Sequence, residues 1–458
     1  MSTTEESQGD LEGLGLALMA LEALEGDRRR EMLKAPDVQS LIDVVVSDPK
    51  LSTGKRQRHL DTAAVVFICL AMSLFRGVSL VQLTGMLGLK GDRGGQLASS
   101  SITEARQRVG DAPVRALFET MGMLWSHEAA ERQLWRGLKL YAFDGTTLTV
   151  QDSDANFEHF GKPASRSGDA GYPKLRLVAL TAVRSRMLVD ASFGPYSGKG
   201  TGETSLAAGM WDGVPDDSVL LFDRLFFDTG KVASYLGTGS SRHFVTRECK
   251  KLTCTVREVL GNGDELIDVR LSDAARKLHP ELAETFPARR IAYQFPGHPP
   301  SALITSLLDP DAFPAQELLD IYHERWSIEL VYRDLKTTQL LRQECLRSKT
   351  PEGVIQEVWG LLASYVLVRK RMFDVAMREN LPPERLSFKT TLIGMQAFLN
   401  MMGMLNHPPH LVRTGLDMLD WAIINGQMPP PGKRAYPRHV KVKMSSYKRN
   451  RGRRGDAT

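Results

Sequence analysis

Residues 322–336 read Tyr322-His323-Glu324-Arg325-Trp326-Ser327-Ile328-Glu329-Leu330-Val331-Tyr332-Arg333-Asp334-Leu335-Lys336. Apolar Ile321, Ile328 and Leu335 recur every seven residues, so one side of a helix packs on a core, and the spacing predicts a single helix over about 315–342. At 3.6 residues per turn, Tyr322, Arg325, Glu329 and Lys336 fall within roughly a 60° arc beside that stripe. A carboxylate between cations on a helix has two readings. It is either a solvated face with an Arg325–Glu329 ion pair at i, i+4, or one part of a charged site that other segments complete.

Two upstream segments offer the other parts. Asp144 follows the apolar run Leu140-Tyr141-Ala142-Phe143, and Asp223 follows Val219-Leu220-Leu221-Phe222. Each reads as a carboxylate closing a buried strand, held by a rigid scaffold and open to a cleft; the alternative for each is a turn residue, above all at Asp144-Gly145. Three carboxylates with oxygen ligands only suit Mg²⁺, with Mn²⁺ as its substitute. Two such ions about 4 Å apart serve in-line attack on phosphorus. Arg325 and Lys336 on the same face would then hold phosphates.

Around these segments the period of the sequence changes twice. Residues 61–75 and 79–87 read as helices, and a third begins at Ser101, where Ser101 and Glu104 have capping-box spacing. Its exposed side is expected to carry Arg106 and Arg108. The unit is either a DNA-reading fold or an ordinary helical subdomain. Strands are expected at Leu138–Phe143, Thr146–Val150, Leu175–Val183, Met187–Phe193, Ser218–Phe222 and His243–Thr246. A β-rich stretch follows at 251–295, with a Gly261-Asn262-Gly263 turn, and then a strand at Ala302–Leu307. Residues 354–405 are strongly helical. Helices, then strands, then helices argue for a mixed α/β core with helical attachments.

Charge is unevenly spread along the 458 residues. Residues 1–27 hold seven acidic side chains and no Lys or Arg, whereas 433–454 hold ten Lys or Arg and no acid. Such a tail attracts polyanions, nucleic acid above all, or serves as a solvated tail that keeps the chain soluble. Lys55, Arg56 and Arg58 make a smaller basic cluster. Cys69, Cys249, Cys254 and Cys345 form neither a disulfide framework nor a zinc pattern and suit a reducing cytoplasm. No apolar run is long enough to span a bilayer. Gly198-Lys199-Gly200 lacks the spacing and the hydroxyl residue of a phosphate-binding loop, which argues against nucleotide hydrolysis. A glycosidase would use two carboxylates but would leave the basic tail and the cations around Glu329 without a purpose.

The pattern Tyr322-x2-Arg325-x3-Glu329-x6-Lys336 resembles the signature of DDE transposases of bacterial insertion sequences, in the branch named after insertion sequence four. It arises by chance on the order of once in several hundred chains this long. Asp144-Gly145-Thr146 is similar to the family's first aspartate motif. Asp223-Arg224-Leu225-Phe226 is similar to the second, with Leu225 where glycine is usual. The resemblance extends through Asn156–Leu180 and across residues 55–135.

It implies a ribonuclease-H-like core over 136–400, interrupted by a β-rich insertion at about 251–300. An acidic segment over 1–54 and a helical DNA-binding domain over 55–135 precede the core, and a helical region with the basic tail over 401–458 follows. It further implies divalent metal on Asp144, Asp223 and Glu329, and a phosphate grip by Tyr322, Arg325 and Lys336. Its partners would be double-stranded DNA, as transposon inverted repeats and as target, and a second copy in a synaptic dimer. It would be cytoplasmic, on the nucleoid when bound to DNA. A DNA-binding protein derived from a transposase and no longer catalytic is the competing expectation.

Overall fold

The computed structural model describes residues 38–48, 50–51, 60–89, 95–163, 171–294, 299–341, 345–404 and 409–429. The acidic 1–27 segment, the Lys55, Arg56 and Arg58 cluster and the 433–454 tail lie outside the described residues.

Nine strands form one sheet: β1 (Lys139–Thr149), β2 (Lys174–Ala182), β3 (Met187–Pro195), β4 (Ser218–Phe222), β5 (Arg242–Arg247), β6 (Cys254–Gly261), β7 (Asp264–Arg270), β8 (Thr285–Tyr293) and β9 (Ser301–Thr305). Their order is β3-β2-β1-β4-β5-β9-β8-β7-β6. Strands β1, β4 and β5 run parallel, and the remaining neighbours pair antiparallel. The first five strands make a ribonuclease-H-like core. The expected insertion does not form a sheet of its own; β9 joins it to the edge of β5 and so extends the core sheet. Asn262 and Gly263, both at positive φ, turn the chain between β6 and β7, as the Gly-Asn-Gly signal predicts.

Strand β4 shows why the centre is parallel. All five of its residues are buried, because helices cover both faces. Val219 and Leu221 pack with Leu318 and Ile321 on one side, while Leu220 and Phe222 pack with Trp211 and Phe244 on the other. This alternation sends successive side chains into separate cores.

The helices expected as a separate unit over 55–135 share one apolar core with the C-terminal helices. Pro351–Arg378 is buried almost all round and lies against the Thr62–Leu74 helix. There a Cβ at Gly360 would lie 2.6 Å from the Cys69 carbonyl oxygen, so only glycine permits the approach. Leu41, Ile42 and Val45 of the Val38–Ser47 helix, within the expected acidic segment, join the same core.

The third helix differs from expectation in two ways. It spans Ser99–Val109 with Ala98 at its N-cap, and no side chain caps it, so the Ser101/Glu104 spacing forms no capping box. Arg106 is not on its exposed side. It is buried, with Nε 2.8 Å from Gln356 Oε1 and Nη2 3.1 Å from the Gly353 carbonyl. The Pro351–Arg378 helix covers that face, and a sequence period cannot register a helix 250 residues away. Arg108 is half-buried and donates to the Leu60 carbonyl.

Candidate active site

Asp144 stands inside β1 rather than at its end: the two strands expected on either side of Asp144-Gly145 are one strand of 11 residues. The turn reading fails because β2 pairs with β1 along this whole stretch, Asp144 opposite Ala179 and Gly145 opposite Val178. Asp223 does close its strand and precedes the 3₁₀ turn Arg224–Phe226. In the β1–β4 register Ala142 lies beside Leu221. That is the last pair of the register, and Asp144 and Asp223 each follow it by two residues. Below them Phe143 and Phe222 stack with ring centroids 5.6 Å apart, which holds the two strand ends together.

The expected long helix is broken. Ala315–Glu324 is α-helical, Ser327–Arg333 is a second α-helical stretch, and Asp334–Gln339 is a π-turn. Between the first two, Arg325, Trp326, Ile328 and Glu329 each donate their N–H to the carbonyl three residues back. Those tighter bonds rotate the helix locally, so the four signature residues do not share one uniform face. Arg325 is buried, Tyr322 and Lys336 are half-buried, and Glu329 is exposed.

Arg325 also does not pair with Glu329. Its Nη1 lies 3.3 Å from Asp144 Oδ2, and its guanidinium carbon is 5.6 Å from the Tyr322 ring centroid. Lys336 Nζ lies 2.6 Å from Thr146 Oγ1, two residues beyond Asp144. The signature helix therefore closes over β1 at the first aspartate.

Burial pushes the Asp144 carboxyl up from its ordinary value. The Gly145 N–H and Arg325 pull it down in part, and the nearby charges of Asp223 and Glu329 add to the rise. These anionic influences place Asp144, Asp223 and Glu329 in one electrostatic neighbourhood. Asp223 Oδ1 is buried without a hydrogen-bond partner, and Arg247 Nη2 approaches it only to 3.8 Å. An orphaned buried carboxylate oxygen, like-charged neighbours and an all-oxygen donor set fit a divalent cation. Among the described residues no three ligand side chains close on a single point, and one oxygen of Asp144 is engaged by Arg325.

Sequence reasoning missed three contributors. The Tyr332 hydroxyl donates to the Asp144 carbonyl at 2.5 Å; its position outside the four-residue signature gave no sign of it. Arg247 ends β5 beside Asp223. Glu203 lies against Gly145, and its carboxyl is pushed up first by burial and then by the charge of Asp144.

A family model described as "Transposase DDE domain" matches residues 135–367, and one described as "Insertion element 4 transposase N-terminal" matches residues 36–119. The chain is 32% identical over 399 residues to the transposase InsG for insertion sequence element IS4 of Escherichia coli (strain K12), covering 86% of this chain and 88% of that one. This chain is a DDE transposase of the insertion-element-4 family. It is also 37% identical over 170 residues to the putative transposase InsZ of the same organism, covering 36% of this chain and 54% of that one. A piggyBac transposase synaptic complex with hairpin DNA aligns over 88% of this chain and 85% of its own, with a TM-score of 0.41 and 11% identity.

As a cut-and-paste transposase of this family the protein acts on DNA with divalent metal. The one departure in its second aspartate motif is accommodated: Leu225 lies in a 3₁₀ turn, is 58% exposed, and has no positive φ that would require glycine. Trp211 is buried among aromatic rings, whereas Trp326, beside Arg325, is 60% exposed. Among the described residues no helix is long and apolar enough to cross a membrane.

Proposed function

We propose that Asp144, Asp223 and Glu329 are the catalytic carboxylates and hold Mg²⁺, or Mn²⁺ in its place, for cleavage at the element's inverted repeats and strand transfer into target DNA. The observation that carries this reading is that Asp144 and Asp223 each stand two residues beyond the last pair of neighbouring parallel strands, Ala142 with Leu221, with the Glu329 helix closing over the first. Bound divalent ions would supply the charge that activates the attacking oxygen and stabilises the leaving one. Asp144 within β1 and Asp223 at the end of β4 would present their oxygens from a buried, hydrogen-bonded sheet, which would help keep the attacking and leaving groups in line. Glu329, exposed on its helix, is the ligand free to adjust as DNA enters.

Arg325 and Lys336 flank this centre as phosphate-holding cations, and Tyr322 braces Arg325. In the metal-loaded state Arg325 would exchange its bond to Asp144 for a DNA phosphate, because both partners are anionic oxygens and the cation then neutralises the Asp144 charge. Inverted-repeat recognition is assigned to the helices of 55–135, with Arg108 retained as a DNA contact and Arg106 withdrawn as a structural residue. The working unit is a dimer on paired ends.

The deciding experiment is excision in Mg²⁺ or Mn²⁺ from DNA carrying the inverted repeats that flank this gene. Wild type should cleave at the repeat ends, and Asp144→Ala, Asp223→Ala and Glu329→Ala should bind those ends without cutting. Cleavage by all three variants would refute the site; binding without cleavage in every sample would make the protein a DNA-binding descendant of a transposase.

A further inference from the structure

The glycine-rich stretch Gly198-Lys199-Gly200-Thr201-Gly202-Glu203 is not a phosphate-binding loop, yet its geometry is specific. Gly198 and Gly200 both adopt positive φ, at 129° and 78°, which L side chains rarely tolerate. Arg176 of β2 ties the stretch to the sheet through a 2.6 Å bond from Nη1 to the Thr201 carbonyl. The chain then enters the short helix Glu203–Leu206 with Glu203 as its first residue.

That turn delivers the Glu203 side chain to β1 at the residue after Asp144. A Cβ at position 145 would lie 2.6 Å from Glu203 Oε2 and nearer still to its carboxyl carbon. Gly145 is therefore the notch through which Glu203 lies across the strand. The notch opens where β1 has lost its β4 neighbour, since the last pair between them is Ala142 with Leu221. Within the described residues no hydrogen bond or ion pair engages the Glu203 carboxylate. Arg325 compensates Asp144, and Arg176 offsets part of the Glu203 charge. Like charges still repel, and a half-buried carboxylate with no direct hydrogen bond or ion pair, brought beside a second one, is the arrangement a shared cation would relieve.

We infer that Glu203 is a fourth carboxylate of the catalytic centre, facing the divalent ion held by Asp144. The inference rests on the assignment of Asp144, Asp223 and Glu329 above. It also explains why the first aspartate motif reads Asp-Gly: the glycine leaves room for a carboxylate that arrives from 58 residues downstream, between Gly145 and Glu203.

The test is Mn²⁺ binding to the full chain on a pre-cut inverted-repeat duplex, followed by electron paramagnetic resonance and calorimetry. Glu203→Gln, close in shape, should weaken Mn²⁺ binding about 10–100-fold while leaving duplex affinity in metal-free buffer unchanged. Gly145→Ala, which crowds Glu203 without removing it, should weaken Mn²⁺ similarly, and the double variant should add little. Wild-type Mn²⁺ affinity in Glu203→Gln would overturn the inference, whatever happens to cleavage. Asp144→Ala runs alongside: if it too binds Mn²⁺ like wild type, the three-carboxylate assignment has failed and the fourth falls with it.

Discussion

Arg325 and Asp144, 181 residues apart in sequence, meet at 3.3 Å with the Arg325 side chain 8% exposed and that of Asp144 23% exposed. Removing the guanidinium leaves a largely buried carboxylate without its cation. Arg325→Ala should destabilise the metal-free protein by about 1–3 kcal/mol in urea unfolding. On the proposed phosphate-holding role, cleavage should also fall about 100-fold or more, since the lost cation would no longer stabilise transition-state charge. Full activity with unchanged stability would contradict both roles.

Lys336 should behave as a phosphate contact rather than a structural one. Lys336→Ala is expected to weaken binding to inverted-repeat and unrelated duplexes alike and to reduce the salt slope of log affinity by about 1. An unchanged slope, measured from 50 to 200 mM salt, would remove it from the DNA interface.

Arg106 should show the reverse pattern. Its bonds to Gln356, Ser348 and the Gly353 carbonyl join the Ser99–Val109 helix to the Pro351–Arg378 helix. Arg106→Ala is expected to cost about 2–4 kcal/mol of stability. DNA affinity per folded molecule should be unchanged, read by mobility shift below the unfolding midpoint.

Stability should fall on the acid side of neutrality for an identifiable reason. Burial lowers the pKa of His127, whose Nδ1 is 2.7 Å from the Tyr141 hydroxyl, and of His243, from an ordinary 6.5. Below that ordinary value the unfolded chain binds protons that the folded chain refuses, so stability drops as pH falls from about 6.5 toward the lower folded values. The melting temperature of His127→Gln/His243→Gln should vary less over that window than that of wild type. Identical slopes would rule out these two groups as the cause.

Leu225→Gly restores the residue usual at that place in the family's second motif, yet nothing in the backbone asks for it. The substitution should leave cleavage unchanged and lower stability by no more than about 1 kcal/mol. A large gain in cleavage would show that the turn constrains Asp223.

The amino-acid sequence alone determined most of the strand segments and the order of helix, sheet and helix, and it singled out the three carboxylates proposed for the site. These are local properties: β4 alternates into two cores because four consecutive apolar residues, Val219 to Phe222, must bury both faces, and the Gly261-Asn262-Gly263 turn is written in residues that accept positive φ. It could not say what lies opposite each element. Tertiary structure decided that Arg106 is covered, that Asp144 sits within a strand instead of a turn, and that Arg325 chooses Asp144 over Glu329. It also decided that Glu203 crosses the notch at Gly145. A period along the chain records which face of an element is apolar, whereas the partner of a polar side chain depends on segments tens to hundreds of residues away, and only packing brings those together.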